Sequence, residues 1–410
     1  MLSIQELQRA VSQGAALRRR RRLQPAHGPG VKIFPSTYPG DEDNSVPRHV
    51  YERRLVPDRG ELVTCLLDSV QSQANRMEEA LMAAVRTGVV EMPHVEIDFS
   101  NTGLESLDNM TDLEVPHRIF DALVRDSKFE GQKFFDSPIG QRVASALPSN
   151  AAPLLEISPA TLAFGGWHTQ GASGGQGVKF PRCVVSEIVA INVPVDAIEG
   201  TRPGSVPVIQ TAGRKTSSRR DPAGITTKAS IYKTLGGEWE ATKEKAGRGA
   251  KEVRPSEVNH GNITPSVQPL GITMEYAEHS IGISLPALRR LRFGTDEKNG
   301  AARTYLAALL LLAALEQDTQ EYLRSNCDLV PEGVAPWQCV HADGSVHEFE
   351  IDIEAARALY RQALEAVVKA GFSMPVRPIL LQPQDKVVET IRRCRDAAFR
   401  VDESVGAEEE

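Results

Sequence analysis

Cysteine is scarce and scattered in this chain. Five occur in 410 residues, Cys65, Cys183, Cys327, Cys339 and Cys394, with no CxxC pair among them. An odd, dispersed set argues against a disulfide framework and reads as reduced thiols. Aromatic residues contribute only 5%. Long apolar runs are missing too. The most apolar one, Tyr305 to Leu315, falls short of the roughly 20 residues that span a bilayer. The early arginines are not followed by an apolar core, so a secretory signal is not expected, nor is a membrane partner; the expected location is the cytoplasm. There is no HExxH helix, and the nine histidines are dispersed. Cys339, His341 and His347 lie near one another, but a fourth zinc ligand in register is lacking. No catalytic residue, metal or cofactor is expected. Excess positive charge is absent as well. The net charge is −7, so contact with a polyanion must come from local patches.

What is present fits a globular chain with a real core. Hydrophobic residues make up 41% and charged residues 25%, and the length allows one large domain or two ordinary ones. The stretch from Asp68 to Glu78 organises the reading. A strand-like run, residues 61–67, precedes it. Apolar residues then recur at Leu66, Val70, Ala74, Met77, Leu81 and Val85, the spacing of one buried helix face. Asp68 is placed to cap the helix, with Gln71 three residues on in a variant capping box. The expected exposed stripe is Ser69, Ser72, Gln73 and Arg76. Hydroxyls, an amide and a guanidinium at a helix start suit a phosphate backbone. The same residues also suit an ordinary solvated face.

Residues 162–193 are the second informative stretch. A strand is expected to enter and another to leave. Between them lies a loop with glycines at 165, 166, 171, 174, 175 and 177, then Lys179 and Arg182. Glycines let backbone N–H groups approach an anion closely. A phosphate-cradling NTPase loop is excluded, because Lys179 does not directly follow a glycine and no Ser or Thr follows it. Trp167 offers a stacking face for single-stranded RNA, or a core tryptophan beside a plain glycine-rich connection.

Other segments carry less. Residues 1–30 hold Arg9 and the arginines at 18–22 against Glu6 alone. They read as a basic arm, either contacting nucleic acid or solvated. Residues 31–40 look like a strand ending in a Pro-rich turn, 93–99 alternate like a strand, and 114–127 and 137–147 read as helices. Residues 214–254 hold eleven Lys and Arg against five acids and little apolar content. They read as an excursion, such as a long hairpin, that either meets phosphates or is solvated. His260 and Asn262 follow in a polar turn, where a lone His is weak evidence for a general base. Residues 271–285 are strand-like. Helices are expected over 301–324, apolar all round, and over 353–370. The acidic tail, 401–410, is expected to lack fixed structure.

Six segments occur together in this order: DSVQSQANRMEEAL, VPHRIFDALVRDS, FGGWHTQGASGGQGVKF, VVSEIVAINV, HGNITPS and LPALRRLRF. The set resembles the backbone subunit of subtype I-G (formerly I-U) CRISPR Cascade, a Cas-seven-type member of the RAMP superfamily, over about residues 31–300. The resemblance implies an α+β fold: an RRM-like (ferredoxin-like) palm over 31–400 with large insertions, among them a thumb hairpin at about 205–270. It implies no catalysis. The implied partners are a guide RNA (crRNA), target DNA through the guide duplex, and further copies in a head-to-tail filament. Other Cascade subunits, a Cas-five/six-type fusion and a large subunit, are implied too. Residues expected to meet the RNA are Ser69, Gln71, Ser72, Gln73, Asn75, Arg76, Arg118, Trp167, His168, Gly174, Gly175, Lys179, Arg182, His260 and Asn262. A related alternative is an RNA-processing endoribonuclease of the same superfamily, and another is a scaffold whose basic segments are only solvated.

Overall fold

The computed structural model describes residues 2–38, 49–104, 107–169, 177–194, 214–215, 225, 229–258, 260, 267–268, 270–320 and 322–404. The fold is α+β and divides into two units. The first comprises Met1–Pro194 and Ile272–Val387, the second Val195–Gly271 and Val388–Glu410.

The first unit is built on an eight-stranded sheet. Its strands are β1 (Gly14–Pro25), β2 (Tyr51–Val56), β3 (Gly60–Asp68), β4 (Val184–Ile191), β5 (Tyr276–Ser284), β6 (Leu329–Pro331), β7 (Trp337–His341) and β8 (Val346–Phe349). They lie in the order β8-β7-β1-β5-β4-β3-β2, with β6 paired to the far end of β1. Every pairing in this sheet is antiparallel. The unit's main helices are α1 (Ile4–Gln13), α2 (Val70–Arg86), α3 (Asp296–Asp318) and α4 (Ile353–Lys369). Thr295 caps α3, whose residues from Thr304 to Gln317 are all buried. A helix apolar all round belongs inside, and α3 packs against α1, α2 and α4. Each leucine at 309–312 is fully buried, worth about 1.5–3 kcal/mol apiece relative to exposure. Among the described residues no helix is long and apolar enough to cross a membrane.

The expected basic arm is instead a helix and a central strand. Ser3 and Glu6 form a reciprocal capping box that starts α1, and β1 runs between β5 and β7. A strand turns successive side chains to opposite faces. Arg18, Arg20 and Arg22 therefore face out, while Arg19 and Arg21 are buried. The buried pair shares one carboxylate. Arg19 Nη1 lies 2.6 Å from Asp318 Oδ2, and Arg21 Nη2 lies 2.8 Å from Oδ1. Asp318 ends α3, so the two guanidinium groups also meet the negative end of that helix.

Other expectations shift locally. Residues 114–127 form a 3-10 turn (Arg118–Phe120) and a short helix (Ala122–Arg125) rather than one helix. Asp121 accepts from Leu123 N and restarts the chain direction there. Residues 31–38 form no strand, and Ile33 bridges to Ile272. The helix over 137–147 is present as Pro138–Ala144, capped by Ser137. The strand over 93–99 shortens to Val95–Ile97, in a second, five-stranded sheet.

The second unit, by itself, has a small antiparallel sheet. Ile231–Lys233 pairs with Trp239–Glu240 on one side and Lys251–Val253 on the other. A further pair joins Arg214–Lys215 to Val267–Gln268. The expected excursion is thus partly folded on its own strands.

Candidate nucleic-acid interface

The start of α2 follows β3 directly. Ser69, not Asp68, caps the helix: its side chain accepts from Ser72 N at 3.3 Å. Asp68 is fully buried and serves a different purpose. It accepts from Gln73 Nε2 at 2.7 Å and from Arg76 Nε at 2.9 Å. Arg76 donates further to the backbone oxygens of Tyr322, at 2.6 Å, and Leu323, at 3.0 Å. Gln73 is 0% exposed and cannot stand on an outer stripe. The exposed positions of the first turns are Gln71, Asn75 and Glu79, with Ser69, Ser72 and Arg76 half-buried. The helix is rotated by about one residue from the expected orientation, and an acid lies on its open face.

Gln73 opens a buried polar chain. Its Oε1 accepts from Ser186 Oγ and Gln317 Nε2, both at 2.9 Å. Ser186 Oγ lies 2.9 Å from His279 Nε2, and Arg21 Nε donates to His279 Nδ1 at 2.9 Å. With Nδ1 accepting, Nε2 carries the proton and donates to Ser186, so the ring is neutral. Burial, with Arg21 and Arg19 alongside, holds the His279 pKa well below the ordinary histidine value. The chain continues through Arg21 to Asp318 and Arg19, joining α2, α3, β1, β4 and β5. Hydrogen-bonded networks of this kind favour one packing over its alternatives.

The glycine-rich stretch is entered by a helix, Pro159–Phe164, rather than by a strand. Gly165 ends it at φ +93°, and a Cβ there would stand 3.1 Å from Arg182 N and Phe180 O. Only glycine combines that dihedral with that approach. A two-strand ribbon follows, Gly166–His168 against Val178–Phe180, in the register Trp167 to Lys179 and His168 to Val178. Alternation then sorts the side chains. Trp167 is 52% exposed, and Lys179 Nζ sits 4.6 Å from its ring centroid. His168 turns inward, stacked on Phe120 at 4.8 Å and Phe135 at 5.3 Å, and burial lowers its pKa. It is part of a ring stack and does not present a charge.

Arg118 fixes this ribbon to α2. Its Nε and Nη2 donate to the two carboxylate oxygens of Glu78, at 2.5 and 2.6 Å, and Nη1 donates to Gly165 O at 2.9 Å. Its backbone is left-handed, φ +54°, a conformation that costs energy in a non-glycine residue and persists when the surroundings impose it. Burial pushes Glu78 up to about 7, against the pull of Arg118. Arg182 reaches the same place, donating from Nη1 to Val70 O and from Nε to Phe164 O, both at 3.4 Å. Burial, then the neighbouring Arg118, lowers its pKa. Arg118 is therefore an internal clamp, and Arg182 is a weakly held cation at the first turn of α2.

The structure thus brings Ser69, Ser72, Arg118, Trp167, Lys179 and Arg182 into one region, with Gln71 and Asn75 on the adjoining open face. Gln73, Arg76 and His168 are engaged internally. His260 belongs to the second unit, its ring edge-on to Trp239 at 5.2 Å. Gly174, Gly175 and Asn262 lie outside the described residues. Two carboxylates hold the site together: Asp68, expected only as a helix cap, and Glu78, which was not foreseen. The signal for Glu78 was its spacing: it follows Ala74 by four residues on the apolar face, where an acid needs a partner. Among the described residues no group of three or more potential ligands could hold a metal ion.

No curated protein matches the chain. Residues 17–195 match the family model described as CRISPR-associated protein GSU0053 (Cas_GSU0053). The matched span, under half of the chain, contains most of β1, all of α2, the Arg118 clamp and both strands of the ribbon. The match supports a CRISPR-associated protein.

Proposed function

We propose that this chain is a non-catalytic backbone subunit of a subtype I-G CRISPR Cascade in antiviral defence. Its Cas-seven-type, RRM-like palm binds the crRNA backbone and oligomerises head to tail along it in the cytoplasm. Such contacts do not close and give a helical filament. The guide is then presented for pairing with target DNA, which reads sequence while the protein reads backbone and shape. The region at about 205–270 acts as the thumb that reaches the adjacent copy, and the ends of the filament meet the other Cascade subunits.

The observation that carries this reading is the exposed Trp167–Lys179 pair on a ribbon clamped beside the α2 start, all inside the matched span. An aromatic face with a cation over it suits stacked bases and the phosphates between them. The capped end of α2 and Arg182 add donors and positive potential for a phosphate. The test is co-expression with a CRISPR array and purification of the protein. The wild type is expected to retain crRNA and raise the 260/280 nm absorbance ratio. The double variant Trp167→Ala, Lys179→Glu is expected to lose it while remaining folded. Full retention by that variant would remove the ribbon from the interface, and cleavage of repeat RNA by the purified protein would contradict the non-catalytic role.

A further inference from the structure

The open face of α2 has two flanks, and the helical repeat separates them. Counted from exposed Asn75, Glu78 lies about 60° to one side and Arg76 about 100° to the other. Glu78 holds Arg118, and through it the ribbon that carries Trp167. Arg76 holds a different segment. Its Nη1 donates to Tyr322 O at 2.6 Å and its Nη2 to Leu323 O at 3.0 Å, while Nε stays on Asp68. On each flank an arginine thus fixes a separate piece of chain beside the same polar floor of Gln71, Asn75 and Glu79.

The two tethered pieces share one feature. Trp167 is 52% exposed and Tyr322 56%. Every other Phe, Tyr and Trp described in the first unit is buried or half-buried. Rings of this size are normally taken into a core or a contact. The turn that bears Tyr322 is anchored at several points. Leu323 and Cys327 are buried, Phe34 N donates to Asn326 O at 2.8 Å, and Ala26 N donates to Asp328 O at 2.9 Å. The Tyr322 hydroxyl meets Ser325 Oγ at 3.2 Å. The ring is therefore presented outward by a fixed backbone. Arg324, two residues on, is half-buried, and among the described residues no carboxylate pairs with it. Burial lowers the pKa of His49 against its hydrogen bond to Ser36 O, and both Arg324 and Lys32 add to the lowering, so two cations converge beside this turn.

We propose that residues 322–324 form a second wall of the RNA path, on the flank of α2 opposite the ribbon, where Tyr322 stacks on a base and Arg324 meets a phosphate. The proposal rests on the reading that single-stranded RNA binds at the ribbon. Bases stack on either ring whatever their sequence, and a guanidinium without a carboxylate suits a phosphate. The floor between the walls is one helix, about 10–12 Å wide with its side chains, and its amides can donate to sugar and phosphate oxygens. A protein partner would need an apolar core around the ring, whereas Arg76, Arg324 and Ser325 lie beside Tyr322. Arg76 is then a positioning residue, as Arg118 is on the other flank. The wall lies outside residues 17–195, so the family match assigns none of it.

Filter binding of the full chain to a single-stranded RNA of mixed sequence and about 12 nucleotides tests it. Tyr322→Ala is expected to weaken binding about tenfold, the size of one lost base stack. Tyr322→Phe keeps the ring and should bind as the wild type does. Arg324→Ala should lower the slope of log K against log salt by about 0.7. Photocrosslinking of the unaltered chain to the same RNA carrying iodouracil needs no variant, and a crosslinked peptide containing Tyr322 is expected beside one containing Trp167. If the wild type binds no RNA, the ribbon reading fails and the second wall falls with it. If Trp167→Ala weakens binding while Tyr322→Ala does not, and no crosslink forms at Tyr322, the ribbon stands and the second wall is refuted. A loss in Tyr322→Phe as large as in Tyr322→Ala would make the hydroxyl the contact and overturn the stacking. Unchanged affinity for the short RNA, with impaired assembly of several copies on a long one, would make Tyr322 a contact between copies and overturn the proposal as well.

Discussion

The first turn of α2 and the 166–180 ribbon were equally polar and equally suited to RNA in sequence, yet they fold to opposite ends. In α2, Gln73 and Arg76 close on buried Asp68. In the ribbon, Trp167 and Lys179 are exposed, with the ammonium over the ring. The difference is one of secondary structure. A two-residue repeat leaves each side chain one of two faces, so Trp167 and Lys179 share a face whichever it is. A helix offers a continuum of directions, and a rotation of about one residue carries Gln73 from the surface to the interior. The proposed polyanion site is therefore better anchored on the ribbon than on the helix.

The strongest way to break that contrast is Asp68→Ala. It leaves the Arg76 guanidinium and the Gln73 amide without their shared acceptor, and should cost about 3–5 kcal/mol. Urea unfolding followed by circular dichroism measures it through the midpoint. A loss under about 1 kcal/mol would mean that the turn is solvated and that Arg76 is available to RNA after all. Arg76→Glu acts on the same turn. Beside Asp68 it sets two carboxylates together, so a loss of stability accompanies any loss of RNA.

The Arg118 clamp gives the next effect, read through pH. Glu78 titrates near 7 in the folded chain, above its value in the unfolded one. The folded state thus holds a proton that the unfolded state has released. Stability contributed by protonated Glu78 is present at low pH and is lost as pH rises from about 4.5 to 7. The difference between wild type and Glu78→Gln across that window should be on the order of 2–3 kcal/mol. Thermal melts at pH 5 and pH 7.5 read it. A flat difference would mean that Glu78 stays ionised beside Arg118, and that the ribbon is clamped by a full ion pair.

Much of the core was legible, and for a physical reason. α3 and α4 announce themselves through apolar spacing, and β3, β4 and β5 through alternation or apolar runs bounded by turns. Five arginines in a row hide alternation, because the same residue lies on both faces of β1. Only the fold shows that Arg19 and Arg21 have Asp318 to meet, nearly 300 positions away in the chain. Residues 114–127 misled because Pro116 suggests a helix start, while the chain turns there and the left-handed backbone at Arg118 leaves only a 3-10 turn before Asp121. In the candidate site, Trp167 and Lys179 were readable in type and spacing. His168 was not, since nothing local says that Phe120 and Phe135 will close on it. Asp68 was read as a cap and Glu78 went unread, because a carboxylate next to apolar positions looks solvated until its arginine is found.

On the ribbon the effects should move from stability to binding. Trp167→Ala is expected to weaken crRNA by about 1–3 kcal/mol, one stacked base. Unfolding should stay within about 0.5 kcal/mol of wild type, as for other exposed positions. Lys179→Ala should lower the slope of log K against log salt by about 0.7, one phosphate contact on a single strand. Filter binding at several salt concentrations distinguishes the two. Equal losses of stability in both variants would place the pair in the core and erase the contrast with α2.

The smallest effect falls on the open face of α2, where Gln71 and Asn75 are exposed beside Glu79. Among the described residues neither amide has a side-chain partner to lose, so Gln71→Ala and Asn75→Ala should leave stability within about 0.5 kcal/mol. If RNA passes over this face, each should weaken binding by about 0.5–1.5 kcal/mol, the net worth of a neutral hydrogen bond. The salt slope should not change, because no charge is removed. Glu79→Gln supplies the opposite sign: removing a carboxylate near a phosphate path should tighten binding. The three variants together decide how far the path extends from the ribbon. Weakened binding in the amide variants with tightened binding in Glu79→Gln carries the path onto the helix. No change in any of them confines it to Trp167, Lys179 and the capped end of α2.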